Sequence, residues 1–162
     1  DCYVHSEQQP FVNNHGGTFG CPLFTGVALV ESLRSCGSCR ECCIVLEVSE
    51  LKKPRLKPCD LLCEAGCSIH GKEEREEICK TYQCGWSKGF FKDEYRPDKS
   101  GVIVHTTKNT DTGEIWVMFY ECKEGSVMSG KGREMLELVA QNPVSIRIEH
   151  YDGSHSESPA DV

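Results

Sequence analysis

From residue 102 onward the apolar and polar positions recur with regular periods. Residues 102–107 and 115–121 are rich in β-branched and aromatic side chains and predict two strands. "NTDTGE" between them has the composition of a hairpin loop. In "REMLELVAQ", residues 133–141, Met135, Leu136, Leu138 and Val139 form a helical stripe, and Asn142-Pro143 ends it. "VSIRIEHY", 144–151, alternates as a half-buried strand, and the polar "DGSHSESPADV" after it predicts a frayed tail. The C-terminal part therefore reads as β-β-α-β.

The preceding part is less regular. Residues 1–20 are polar and glycine-rich, as in a loop or arm, and "PLFTGVALVESLR" suits either a short helix or a strand pair. Ile44 to Val48 favour a strand. The prolines of "KKPRLKP" interrupt regular structure, and "EEREEICKTY", 73–82, predicts a turn or two of helix that delivers Cys79. There is no internal repeat. The expected organisation is an N-terminal arm over 1–32, a cysteine-rich region over 33–91, a β-β-α-β scaffold packed on it over 92–152, and a flexible tail over 153–162. The fold class is α+β, a loop-rich cysteine cluster on a β-β-α-β scaffold.

Composition changes this picture in one respect. The 162 residues are 38% hydrophobic and 27% charged, ordinary for a globular chain, but twelve are cysteine. Nine of the twelve fall between Cys36 and Cys84. Basic and acidic residues balance at nine each between 36 and 91, so the net charge of −7 belongs to the flanks. That acidity argues against a sequence-independent nucleic-acid binder, which presents a basic face. No run of about eighteen apolar residues predicts a membrane span. No secretory signal is visible, though a removed one leaves no trace. The expected location is cytoplasmic.

"CGSCRECC", 36–43, is two overlapping C-x2-C units followed at once by Cys43. Two residues between thiols make a tight turn that points both sulfurs to one side, the knuckle used by zinc at about 2.3 Å and by iron–sulfur clusters. Cys59, Cys63 and Cys67, spaced by three, and Cys79 and Cys84, spaced by four, suit a turn or one helical face. The candidate metal ligands are thus Cys36, Cys39, Cys42, Cys43, Cys59, Cys63, Cys67, Cys79 and Cys84. A secreted disulfide framework is the main competing reading, since the cysteine total is even. Cysteines spaced C-x2-C and C-C bridge poorly with one another, however, and this chain is long enough to fold without staples. A catalytic dithiol would use two thiols and leave seven unexplained.

The order "CGSCRECC", "PCDLLCEAGCSIH", "ICKTYQCGW" over roughly residues 33–91 resembles the YkgJ-type cysteine-cluster proteins. These carry C-x2-C-x2-C-C followed by a Cys-x-Ile-(Tyr) and Arg-Pro-x2-Cys segment, and are described as zinc- or iron-chelating. The resemblance places Cys36, Cys39, Cys42 and Cys43 on the first motif, and Cys59, Cys67 and Cys79 on the downstream positions. Cys63 and Cys84 look like additions found in part of the family. Two departures stand out: His70 takes the aromatic position, which makes it a conceivable extra ligand, and Arg75-Glu76 replaces Arg-Pro.

All-thiolate ligation suits zinc and iron–sulfur alike. Zinc is preferred here because no flavin or radical motif accompanies the thiols; iron or an iron–sulfur cluster is the alternative cofactor. Eight thiolates suit two tetrahedral four-thiolate zinc sites or one four-iron cluster with spare cysteines. Eight thiolates with two zinc ions still leave net negative charge, so nearby cations are expected to help. Arg40, Lys52, Lys53, Arg55, Lys57 and Lys80 are close in sequence. Other signals fail. "GSVMSGKG", 125–132, mimics a phosphate loop but has Gly132 where the Mg²⁺-binding hydroxyl belongs. "HGGTFG", 15–20, lacks the flanking strand and helix of a dinucleotide site. Trp116 and Phe119-Tyr120 belong to a strand pattern rather than a base-stacking platform. There is no H-E-x-x-H and no nucleophile elbow, so no catalytic residue is assigned. The expected function is a metal-holding module, without nucleic-acid or membrane partners and with a protein partner left open.

Overall fold

The computed structural model describes residues 34–64, 66–108 and 112–158. The N-terminal arm and "PLFTGVALVESLR", but for its final Arg34, lie outside the described residues.

The chain is α+β. The short helices α1 (Glu41–Val45), α2 (Glu77–Thr81) and α3 (Pro97–Ser100) and a ribbon of β1 (Leu62–Cys63) and β2 (Gly66–Cys67) precede a four-stranded sheet. In that sheet β3 (Val102–Lys108), β4 (Ile115–Glu121), β5 (Ser145–Glu149) and β6 (His155–Ser158) lie side by side in that order. β3 (Val102–Lys108) and β4 (Ile115–Glu121) are antiparallel, in a register running from Val102 opposite Glu121 to Lys108 opposite Ile115. The helix α4 (Gly130–Val139) then carries the chain over to β5 (Ser145–Glu149), which lies parallel to β4. A β-α-β crossover is the connection that two parallel neighbours require. β6 (His155–Ser158) adds antiparallel to β5 at the edge.

Because side chains alternate across a strand, each face of the sheet has its own core. Val102, Val104, Val117, Phe119 and Ile146 face α4 and pack with Val127 and Met135. Gly132, in the first turn of α4, lies so near the 122–129 loop that a Cβ there would sit 2.0 Å from the Ser126 carbonyl oxygen and 2.7 Å from Val102 Cγ2. On the other face Ile103 packs with Cys122, and the cysteine-rich region covers them with Val45, Cys84 and Trp86. The result is three layers: helix, sheet, and cysteine-rich loops.

Polar groups tie the layers. Arg55, from the cysteine-rich region, donates to the Glu149 and His150 carbonyl oxygens at 2.9 and 2.6 Å, pairs with the Glu149 carboxylate at 3.3 Å and lies over the Tyr120 ring. The buried Glu121 carboxylate accepts from Val127 N at 3.1 Å and Tyr151 N at 3.0 Å, joining the end of β4 to two loops. His105 stacks on Tyr120 and meets Tyr82 edge-on. Burial, with a smaller push from Lys88, holds its imidazole below the ordinary pKa. The unfolded chain therefore binds this proton first as pH falls, so the penalty is absent above about pH 6.5 and grows below it. His105→Gln is expected to lose less stability than the parent between about pH 6.5 and pH 5 in urea unfolding. Parallel pH profiles would refute this.

The two strands, the helix and the third strand of the C-terminal part fall where the sequence puts them, with α4 opening three residues early. Two readings are corrected. Ile44 to Val48 are not a strand: α1 (Glu41–Val45) takes their first two residues, and Val48 makes only an isolated bridge to Lys53. Ile44, Val45 and Leu46 all pack into one apolar cluster, which an alternating strand would not allow. The tail is not a frayed segment where it is described, since His155–Ser158 pair with β5; residues 159–162 lie outside the described residues. Every β6 side chain is exposed, so no apolar signal announces the strand.

Candidate metal centre

Four short segments build the site. Gly37, at φ +56°, makes the tight turn in which Cys39 N donates to Cys36 O at 3.0 Å. α1 follows at once and presents Cys42 and Cys43 from its first turn. Cys59 is drawn in by a bond from its amide to Cys43 O at 3.0 Å. α2 (Glu77–Thr81) carries Cys79, as the sequence predicts. The Cys84 turn is closed by Ser87 Oγ donating to Cys84 O at 2.8 Å and fixed to the sheet by Gly85 N donating to Val104 O.

These segments enclose a cavity of about 150 Å³. Cys36, Cys39, Cys42 and Cys43 line it, and so do Cys59, Cys79 and Cys84. The structure therefore brings seven of the nine candidate ligands to one place. Cys63 and Cys67 are carried by a two-stranded ribbon, β1 (Leu62–Cys63) with β2 (Gly66–Cys67), and do not line it. His70 is exposed on a turn and does not line it either. All ten described cysteines are free thiols. Among the described residues, no three Cys, His, Asp or Glu side chains stand close enough together to hold a metal ion without moving.

The electrostatics of the cavity are those of a thiol cluster held among cations. Burial pushes the Cys36, Cys39 and Cys79 thiols above their ordinary pKa. The adjacent Cys42 and Cys43 thiols act on each other, which raises Cys42 and lowers Cys43, with Arg75 and Lys53 adding to the lowering at Cys43. Of the six cations close to the motif in sequence, only Lys53 lines the cavity. Arg55 reaches the sheet instead, and Lys80 pairs with Glu77 at 3.5 Å and donates to Glu73 O. Arg75 also lines the cavity, at the position where the sequence departs from the Arg-Pro pattern. Lys53 is buried, and its ammonium donates to Ile44 O at 3.1 Å, Pro54 O at 3.2 Å and Leu46 O.

Three further polar groups line this cavity, and sequence spacing gives no sign of two of them. Arg75 Nε, Tyr82 Oη and Trp86 Nε1 are all buried without a hydrogen-bond partner among the described residues. Burial, followed by the charges of Cys84 and Cys42, raises the Tyr82 hydroxyl and keeps it a donor. Trp86 is held from outside by Arg34 and Arg96, whose guanidinium groups lie 5.4 and 5.9 Å from its ring centre. Buried donors without acceptors are costly. Electron-rich sulfur of thiolates, or of a cluster, is the acceptor the cavity can offer, so the donor set fits a sulfur-ligated metal.

No helix among the described residues is long and apolar enough to cross a membrane. Comparison with family models, curated proteins and solved structures finds no match to this chain.

Proposed function

We propose that this chain is a metal-binding protein, with zinc held by the thiolates of the cysteine cavity. The observation that carries the reading is the gathering of seven free thiols, from segments up to 48 residues apart, around one cavity with Lys53 and Arg75. Apart from the five-residue helices α1 and α2 and the β1–β2 ribbon, residues 36–91 have little regular structure. A bound metal would cross-link the segments, and its binding free energy would be folding free energy for this region. The thiols do not converge as they stand, so closing on the metal is part of binding. The cysteine order shared with the YkgJ-type proteins agrees with this role, and free thiols at such density suit a reducing, cytoplasmic setting.

Iron, or an iron–sulfur cluster, is the second reading. It is favoured by the three unpartnered donors, because hydrogen bonds to sulfur tune such clusters. Anaerobic purification with elemental analysis separates the readings. A colourless protein with stoichiometric zinc is expected; brown colour with iron supports the second. Chelation is expected to expose residues 36–91 to protease before the sheet is cut. If proteolysis and circular dichroism are unchanged by chelation, the structural role is wrong. Absence of metal together with few titratable thiols would overturn both in favour of a disulfide protein.

A further inference from the structure

We propose that a second cavity, which shares Trp86 with the thiol cavity, binds a small, multiply charged oxyanion of the phosphate type. The inference does not rest on the metal reading. This cavity has a volume of about 370 Å³ and is lined by Arg34, Ser35, Trp86, Asp93, Arg96 and Lys99. Three of the six are cations and one is a carboxylate, in a chain whose net charge is −7.

The cations gather on one indole. Arg34 and Arg96 place their guanidinium groups 5.4 and 5.9 Å from the centre of the Trp86 ring. Lys99, three residues after Arg96, adds a third charge. Like charges held together repel, and an anion among them removes that cost. A flat apolar ligand is disfavoured here, because guanidinium groups already lie over the ring.

The donors of these cations are only partly used. Among the described residues Arg34 bonds through Nη1 alone: to the Phe91 carbonyl oxygen, to Trp86 O at 3.5 Å and to the exposed Asp93 carboxylate at 3.6 Å. Its Nε–Nη2 edge is uncommitted. Asp98 holds Arg96 through Nε and Nη2, both at 2.7 Å, and Nη2 also reaches Ser38 Oγ at 3.4 Å. Arg96 Nη1 is left over. Lys99 Nζ donates once, to Asp93 O at 3.3 Å. Ser35 Oγ accepts from Gly37 N at 3.4 Å and keeps its own proton to donate. The carboxylates thus orient both guanidinium groups without exhausting them, and a fixed guanidinium edge matches the oxygen spacing of an oxyanion.

Arg96 also stands against the first cysteine turn, through Ser38 and beside Gly37, where a Cβ would lie 3.8 Å from Nη1. An ion shared by Arg34 and Arg96 would therefore tie the Cys36–Cys39 turn to the start of α3.

The test is titration of the full chain with inorganic phosphate, at constant ionic strength set with KCl. Calorimetry reads the parent, and fluorescence reads Trp116→Phe, which leaves Trp86 as the one indole. Saturable binding is expected in both, weakened about tenfold by Arg34→Gln and about threefold by Lys99→Gln. Lys108→Gln, at the last residue of β3, is expected to bind as the parent does. Lys99 is exposed, so its variant keeps the test decisive even if Arg34→Gln fails to fold by circular dichroism. No saturable response in the parent, or equal affinity in Lys99→Gln and the parent, would overturn the site. So would a loss in Lys108→Gln as large as that in Lys99→Gln.

Discussion

Gly132→Ser, the substitution that would complete the phosphate-loop pattern at residues 125–132, is expected to destabilise the protein severely rather than create a phosphate site. The new Cβ would meet the Ser126 carbonyl oxygen at 2.0 Å and its carbon at 2.8 Å, both backbone atoms that cannot swing aside. Val102 Cγ2, at 2.7 Å, belongs to the most buried stretch of β3 and has no free space to enter. Either α4 lifts from the sheet, uncovering Met135, or the 122–129 loop shifts and strains the bond from Val127 N to Glu121. Overpacking of this kind costs about 3 kcal/mol. For a domain of this size that is a fall in Tm of roughly 6–12 °C. The control is Gly130→Ser, where nothing lies within 4 Å and only the left-handed φ of +49° is penalised, by roughly 1–2 kcal/mol. Thermal and urea unfolding of the two variants decide the matter. Equal midpoints would mean that helix and sheet are not in the close contact described.

Lys53→Met has the second large expected effect, a loss of about 2–4 kcal/mol. The substitution keeps most of the stem's volume but removes the ammonium that three carbonyl oxygens share. Ile44 O and Leu46 O lie at the end of α1, where unpaired carbonyls concentrate partial negative charge. Burial lowers the Lys53 pKa, and the nearby Cys59, Cys43, Cys42 and Cys79 oppose that shift. The lysine therefore serves the helix end and the thiols at once. Urea unfolding with protease mapping is the measurement, and cleavage within residues 44–59 is expected to appear first. Unchanged stability would show that those carbonyls are served by solvent.

How much of this could be read from the chain depends on what each element rests on. β3, β4, β5 and α4 rest on periodic burial against a common core, and periodic burial leaves a pattern in the sequence. α1 does not: Ile44, Val45 and Leu46 look like a strand because their side chains are β-branched or apolar, and packing against Trp86 and Ile103 overrides that propensity. The cysteine cavity was legible in its members but not in its boundary. Spacing identifies Cys59, Cys79 and Cys84 as companions of the first motif, yet says nothing of which side of the ribbon Cys63 or Cys67 faces. Tyr82 and Trp86 join the cavity through chain crossings that no local pattern encodes.

β6 bears on how the protein keeps to itself. Without it, β5 would offer the backbone of Ser145–Glu149, with Ile146 and Ile148 along it, as an open rail for any passing extended chain. His155–Ser158 occupy that rail and substitute a border of histidine, serine and glutamate, wholly exposed and poor in β-propensity. A segment that contributes nothing to either apolar core is thereby the sheet's guard against association with its own kind.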